Sequence, residues 1–196
     1  MQVSRLLLVL TATLAVSGCN YQTLPDPALS ARDAKWMSMI PEVPKAELGF
    51  DRYLVDDHTG QPPGTIVVDT KARHLYLVLP ERKAVRYGVA VGDEAYGWTG
   101  VARVAHKAEW PSWNPPDEMR KRWPHVHAMA GGPMNPLGAR ALYLYQGNRD
   151  TLYRIHGTNE PETIGQAASS GCIRMRNIDV VDLYNRVKPN ATVIVM

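Results

Sequence analysis

Alternating and β-branched hydrophobic positions dominate the chain after residue 64. Residues 65–69 form a compact β-branched run, and in 73–79 three leucines alternate with Tyr76 and Val78. Runs of this kind, bounded by turn residues, are typical of strands. The same pattern returns in five further runs, at 84–91, 101–109, 141–145, 152–156 and 191–195. The sequence therefore predicts one mainly β domain.

One stretch near the C-terminus has the spacing of a helix instead. Asn177 is predicted as its N-cap, and Pro189 would stop it. The apolar positions that share one helical face are Val180, Val181, Tyr184 and Val187. We expect a single amphipathic helix that packs on the sheet.

Two segments lack these periodic patterns. Residues 110–138 carry six prolines, three tryptophans and the pair His125 and His127. A loop of this length inside a compact domain is usually functional, so we expect a lid or a substrate wall. Prolines also interrupt residues 19–63, which we interpret as a tether and a loosely packed lead-in. One short helix within 28–39 is expected there, with Trp36 or Phe50 docked on the domain.

The first residues have the layout of an export signal. A positive charge at Arg5 precedes an apolar stretch, Leu6–Val16, and then small residues. The tetrapeptide that ends in Cys19 resembles a bacterial lipobox, in which the cysteine is lipidated and becomes the mature N-terminus. We therefore expect a lipoprotein signal peptide over 1–18 and a protein in the periplasm, anchored by lipid to the outer membrane of a Gram-negative bacterium.

Composition and charge exclude several classes of protein. The 196 residues are 45% hydrophobic and 21% charged, which is too apolar for a disordered chain. No apolar run reaches the roughly 18 residues that span a bilayer. The net charge is +3 without a dense basic block, so we expect no nucleic-acid partner.

The cysteine count directs attention to a second thiol. The chain has two cysteines, and if Cys19 carries lipid, then Cys172 has no partner in an oxidising compartment. A thiol nucleophile needs a base, and His156 lies sixteen residues earlier, at the end of a predicted strand. Gly171 precedes the cysteine and allows the tight turn that presents a nucleophile. A reactive thiol is one interpretation, and a buried inert cysteine or an intermolecular disulfide are the others.

Two motifs give these residues a family context. His156-Gly157-Thr158-Asn159 and Ser169-Ser170-Gly171-Cys172-Ile173-Arg174-Met175 resemble the signature of the L,D-transpeptidase (YkuD-domain) family of bacterial cell-wall enzymes. Blocks at 64–70 and 131–140 are similar to further parts of that family. The likeness runs over 64–196, which is then the catalytic domain, and it implies a β-sandwich or barrel-like fold.

The resemblance also implies roles for single residues. Cys172 would be the nucleophile, His156 the general base, and the Gly157 carbonyl the group that orients the imidazole. Amides around Gly171 and Cys172 would form the oxyanion hole. Arg174 would either bind a stem-peptide carboxylate or brace the loop.

One position departs from the family pattern, because residue 170 is often histidine in the family and is Ser170 here. The nucleophile is unaffected, but a second imidazole would be missing from the substrate-binding side. The other two histidines of note, His125 and His127, are expected on the surface of the lid rather than at a metal site.

The reaction implied is acyl transfer onto and off the thiol. The cysteine would attack the diaminopimelate carbonyl of a tetrapeptide stem, release D-Ala, and pass the acyl group to an amine, forming a 3→3 crosslink. An outer-membrane protein or water would be alternative acceptors. No metal or organic cofactor is expected, and carbapenems would acylate the thiol. A hydrolase on the same scaffold, either a carboxypeptidase or a stem-cleaving enzyme, and a non-catalytic peptidoglycan-binding lipoprotein are the other hypotheses.

Overall fold

The structure, a computed structural model, describes residues 21–41, 48–92, 97–169 and 171–196. Within these ranges it has eleven strands and three α-helices. The strands are β1 (Gln22–Thr23), β2 (Tyr53–Asp56), β3 (Ile66–Asp69), β4 (His74–Leu79), β5 (Lys83–Gly92), β6 (Gly100–Glu109), β7 (Arg140–Gln146), β8 (Arg149–His156), β9 (Ala167–Ser169), β10 (Ile173–Met175) and β11 (Thr192–Val195). The helices are α1 (Ala31–Met37), α2 (Asp117–Arg122) and α3 (Asn177–Arg186), with 3-10 turns at Leu48–Phe50 and Pro161–Thr163.

Eight of the strands close into a barrel-like ring. Their order is β5, β10, β8, β7, β6, β11, β3 and β4, and the ring closes because β4 also pairs with β5. Neighbours in the ring are antiparallel except for β8 with β10 and β3 with β11. Closure satisfies the backbone groups that an open edge would leave unpaired. The predicted mainly β, barrel-like fold is confirmed.

Alternate residues of the ring fill its interior. The fully buried positions are the apolar members of the predicted strand patterns, among them Ile66, Leu75, Tyr87, Leu142 and Ile155. The C-terminal helix α3 closes the core with Val180, Val181 and Leu183. The pattern of residues 177–187 therefore predicted this helix, with Val180, Val181 and Val187 buried as expected. Tyr184 is only half-buried, and the buried Leu183 was not among the predicted positions.

The start of α3 differs from the prediction in one respect. Arg176 occupies the N-cap position, with φ −58° and ψ 146°, and its side chain makes no capping bond. Asn177 is the first helical residue, and its side-chain amide bonds instead to backbone groups of Ala139 and Thr158. Those bonds to distant segments outcompete the local cap that the sequence pattern suggests.

The lead-in is packed more firmly than its proline content suggested. Strand β2 pairs with β5, and α1 lies against the lid through an edge-to-face contact of Trp36 with Trp110. Asp33, which is 2% exposed, accepts two bonds from Arg140, at 2.9 and 2.8 Å, and one from the Trp110 indole, at 2.7 Å. The Arg140 guanidinium holds the pKa of this carboxyl well below its usual range.

A second buried charge ties the lead-in to α3. The Arg52 guanidinium donates to Asp179 of the helix at 2.9 Å and to Asp26 at 2.8 Å. Because its side chain is nearly inaccessible, the charge needs these partners to be tolerated in the interior.

The predicted signal peptide and the lipidation site Cys19 lie outside the described residues. In the part of the chain that the structure covers, no helix combines the length and the apolar character needed to cross a bilayer.

Replacement of Asp33 tests whether the lead-in holds the domain together. The variant Asp33→Asn leaves the Arg140 charge buried without its counter-charge, so the free energy of unfolding should fall by about 3 to 5 kcal/mol in urea titrations. Because the native pKa of Asp33 is depressed, its contribution is present above the unfolded-state pKa and lost as the pH falls below about 4.

The matched control is Glu109→Gln, which breaks the exposed pair with Arg32 on the same helix. It should cost less than about 1 kcal/mol. Equal losses in the two variants would contradict a structural role for the buried pair.

Candidate active site

A parallel strand pair brings the predicted nucleophile and base together. In the β8–β10 ladder, Arg174 pairs with His156, and Ile173 with Ile155. Side chains alternate along a strand, so Cys172, two residues before Arg174, projects from the same face as His156. The register therefore places Cys172, which lies one residue before β10, diagonal to His156. Sequence reasoning predicted these two residues, and the register explains how they meet.

The imidazole of His156 is oriented by its own backbone. Its Nδ1 lies 2.6 Å from the Gly157 carbonyl oxygen, as predicted for Gly157. A carbonyl only accepts, so in the neutral ring Nδ1 carries the proton and Nε2 is the candidate base, with the Pro136 carbonyl as a second backbone acceptor beside the imidazole. The side chain is 4% exposed, and burial lowers its pKa to about 4. Near neutral pH this histidine is therefore uncharged and able to accept a proton.

The thiol of Cys172 starts from its protonated form. Its Sγ lies 3.9 Å from the Leu152 carbonyl oxygen, which accepts from the S–H. Burial raises the pKa of the thiol, whereas a backbone bond from Arg154 and the charges of Arg154 and Arg174 lower it without reversing the direction. The resting pair is consequently a neutral thiol beside a neutral imidazole.

The β8 backbone is bent where it faces the thiol. Leu152 has a positive φ of 63° and is 71% exposed, an unusual conformation for a bulky residue. Its N–H donates to Asp150 at 2.8 Å, and the ladder between β7 and β8 shifts register at this point. Such a bulge re-aims backbone groups, here the Leu152 carbonyl toward the sulfur.

An ion pair and an aromatic ring hold this bulge in place. Arg154 binds both carboxylate oxygens of Asp150, at 2.7 and 2.8 Å, and its guanidinium lies 4.5 Å from the Tyr143 ring centroid. Sequence reasoning missed Asp150 and Arg154, because it treated the first as a turn residue and the second as a strand residue. The signal available was an aspartate two residues before the start of an apolar strand, a pattern that favours a side-chain bond to the backbone.

Ser169 shapes the loop that presents the thiol. Its hydroxyl donates to the Cys172 carbonyl at 2.5 Å and accepts the Gly171 N–H at 3.2 Å. Gly171 adopts φ 119°, which glycine tolerates and other residues rarely adopt. The structure therefore engages the Gly171 amide, one of the two predicted oxyanion donors, within the loop. Ser170, also predicted near the substrate, lies outside the described residues.

Arg174 braces the site in the resting structure. Its guanidinium donates to Glu160 at 2.8 Å and so connects β10 to the loop that follows β8. The pair is partly exposed, at 19% for the arginine side chain and 51% for the glutamate. Of the two predicted roles for Arg174, the structure shows the brace, and its exposure leaves the guanidinium accessible to a substrate carboxylate.

The side-chain amide of Asn135 holds together the loop of residues 110–138, which we call the lid. Asn135, 1% exposed, donates to the carbonyls of Pro111 and Ala130 at 3.0 and 2.9 Å and accepts from Leu137. Trp113 pairs with Met129 across the loop. Sequence reasoning gave Asn135 no role.

The lid histidines lie on its surface. His125 and His127 are both exposed. Within the described ranges, no group of three or more histidine, cysteine or acidic side chains is arranged to hold a metal ion.

An open cleft of about 460 Å³ lies beside the loop that carries Cys172, and neither Cys172 nor His156 lines it. Gly171 and Ile173 form one wall, and the stacked rings of Trp98 and Tyr153, 5.6 Å apart, form another. Lys71 and Arg73 add two cations. A ligand with apolar or sugar-like faces and carboxylate groups fits such a lining.

Comparison with known proteins gives a consistent family. A family model described as the L,D-transpeptidase catalytic domain YkuD matches residues 63–195. A candidate L,D-transpeptidase of Fuscovulum blasticum is 32% identical over 142 residues, which cover 69% of this chain and 71% of the relative. Across several curated relatives that it matches, the chain spans from 34% to 71% of the relative's own length.

Solved structures share the fold. An L,D-transpeptidase from Mycobacterium smegmatis aligns with a TM-score of 0.53 at 14% identity, covering 67% of this chain and 58% of its own. A Brucella melitensis protein, described as a probable carnitine operon oxidoreductase, aligns with a TM-score of 0.52 at 52% identity. That alignment covers 71% of this chain and 89% of the Brucella protein. The first likeness is one of fold alone, and the second extends to sequence.

Alkylation of the thiol tests the neutral resting pair. In a Cys19→Ser chain, Cys172 is the only cysteine, and its reaction with iodoacetamide follows the thiolate fraction. Because burial raises the pKa of this thiol, the rate should keep rising with pH above the range of an ordinary cysteine. The same chain unfolded in urea should titrate near pH 8.5, the usual thiol value. A fast rate that stays flat from about pH 5 upward would instead indicate a preformed thiolate–imidazolium pair.

Proposed function

Because the chain belongs to the L,D-transpeptidase (YkuD) catalytic-domain family, we propose that it is a cell-wall acyltransferase with Cys172 as the nucleophile and His156 as the general base. The observation that carries this proposal is the shared face of β8 and β10. There, an uncharged imidazole with its Nε2 lone pair available lies diagonal to a thiol. The substrates are peptidoglycan stem peptides.

The first half-reaction forms a thioester. The thiol proton passes to His156 Nε2 as the sulfur attacks the diaminopimelate carbonyl of a tetrapeptide stem. The imidazolium then protonates the departing amine, D-Ala leaves, and the acyl group stays on Cys172. The low pKa of His156 makes the imidazolium a strong acid toward the leaving amine, while it opposes the first proton transfer from the thiol, whose pKa is raised.

The second half-reaction regenerates the thiol. An amine of a neighbouring stem attacks the thioester while His156 Nε2 takes a proton from it, and a 3→3 crosslink forms as the thiol leaves protonated. An amine of an envelope protein would attack the thioester in the same way, and the product would then be a protein attached to the stem peptide. If water enters instead, the product is a shortened stem, as in a carboxypeptidase.

Backbone amides stabilise the charge that develops on the carbonyl oxygen. The Gly171 N–H is held by Ser169 at 3.2 Å, a long bond that a stronger acceptor outcompetes. The Cys172 N–H is the second donor. Both amides precede the strand β10 and take no part in its ladder. They can therefore donate to the oxyanion.

The cleft on the other side of Gly171 holds part of the substrate. Its stacked rings provide a flat apolar surface, and Lys71 and Arg73 attract carboxylates, which stem peptides carry. Arg174 offers a third cation on the thiol side if a substrate carboxylate displaces Glu160.

Product analysis tests this function. Incubation of the Cys19→Ser chain with a disaccharide tetrapeptide should yield free D-Ala and a crosslinked dimer, with an acyl adduct on Cys172 in the intact mass. Cys172→Ala should abolish the adduct and both products, and His156→Ala should slow turnover by at least about 100-fold, since one general base contributes that much.

Variants elsewhere provide the controls for this test. His127→Ala removes an exposed lid histidine and should leave the rate unchanged. Trimmed stems without dimer would indicate a hydrolase. Binding of the tetrapeptide without any product, unchanged in Cys172→Ala, would support a non-catalytic peptidoglycan-binding protein.

We further propose that residues 1–18 are removed and that Cys19 carries lipid, which places the domain in the periplasm at the outer membrane. Labelled palmitate should then enter the protein, and Cys19→Ser should lose the label and move from the membrane to the soluble fraction. Cys172→Ser is the matched control and should stay labelled and membrane-bound. Label in Cys19→Ser would contradict the anchor.

A further inference from the structure

Asn177 connects two backbone segments that meet behind the imidazole. Its Oδ1 accepts the Ala139 N–H at 2.8 Å, and its Nδ2 donates to the Thr158 carbonyl at 2.7 Å. The residue is 9% exposed, so both bonds are sheltered from water. One side chain thus joins the end of the lid to the peptide that follows Gly157.

Two glycines pack closely against this amide. A Cβ added at Gly138 or at Gly157 would overlap the Asn177 Oδ1. Gly138 has φ 60°, which brings its backbone against the Thr158 amide without strain. A side chain at either glycine would therefore displace the Asn177 amide.

The backbone immediately before this Thr158 carbonyl orients the base. The Gly157 carbonyl accepts from His156 Nδ1 at 2.6 Å, and the Gly157 N–H donates to the Arg140 carbonyl at 3.0 Å. Gly157 has no side chain of its own to hold it. The direction of its carbonyl is therefore fixed from both ends, by the β7 backbone before it and by the Asn177 bond to Thr158 after it.

We propose that Asn177 is a positioning residue for the general base: its amide fixes the Gly157–Thr158 backbone, so that the Gly157 carbonyl holds the proton on Nδ1 and leaves Nε2 free for Cys172. This role rests on the proposed function of His156. It also explains why Asn177 gives up the capping position at the start of α3, since its amide is fully used across the site.

An isosteric change separates positioning from simple support. Asn177→Asp keeps the acceptor for Ala139 but loses the donor to Thr158 and places a carboxylate against that carbonyl. In the Cys19→Ser background, we expect kcat for crosslinking to fall about 10- to 100-fold with KM within about threefold, because a small misplacement of a catalytic group costs that much. The ¹⁵N shifts of His156, assigned by comparison with His156→Ala, should change from one tautomer to a mixture.

The control is Tyr87→Phe, which removes a buried 2.7 Å bond from the hydroxyl to Asp182 on the same helix. It should lower stability to a similar extent while leaving the His156 tautomer and kcat as in the parent. If Asn177→Asp does not fold, Asn177→Ala, which removes both bonds without adding charge, takes its place.

Two results would overturn the assignment of Asn177. One is a parent-like tautomer in the folded variant, and the other is an equal loss of kcat in Tyr87→Phe. If the parent itself makes no product, the proposed function fails, while the tautomer measurement still decides the role of Asn177.

Discussion

The parallel pairing of β8 with β10 is the constraint on which the rest of the molecule depends. It is one link of the closed ring of strands, and its register places His156 opposite Arg174 with Cys172 diagonal to His156. A slip of one residue would turn the thiol to the opposite face and separate it from the base. The fold and the chemistry are therefore specified by the same few backbone hydrogen bonds, and whatever stabilises the ring also maintains the site.

Contacts outside the ring keep this pair in register. Asp33 neutralises Arg140 at the start of β7, which lies next to β8, and Arg52 binds α3 through Asp179. Each is a buried charge whose loss of partner is costly, so electrostatics ties the lead-in to the barrel together with the β2–β5 ladder and apolar side chains such as Trp36 and Met37. The amide of Asn177 then transmits the position of α3 to the backbone beside His156. The Asp33–Arg140 pair, the Arg52–Asp179 pair and the Asn177 bond thus all stabilise the segments around His156.

How much of this the sequence predicts depends on how local each interaction is. Strand periodicity indicated the β domain, and the motifs around His156 and Cys172 indicated the candidate pair, because both signals lie within short stretches. The two bonds of Asn177 escaped prediction, since they join segments 38 and 19 residues apart. The bulge at Leu152 escaped it although its bond to Asp150 is local. Asn177 even has the signature of a helix cap. The firm docking of the lead-in depends likewise on Asp33 meeting Arg140, a pairing separated by 107 residues.

In the exported protein that we propose, the protonated resting state of Cys172 suits a lone thiol. Thiolates oxidise and exchange far more readily than thiols, and an oxidising compartment exposes a permanently ionised cysteine to both reactions. Burial raises the pKa of Cys172, so the sulfur stays protonated until a substrate carbonyl is in place. The neutral His156 then removes the proton during attack rather than before it. In the proposed enzyme, the raised pKa of the partly exposed Cys172 thiol keeps its reactivity low at rest, and the buried His156 takes the proton during attack.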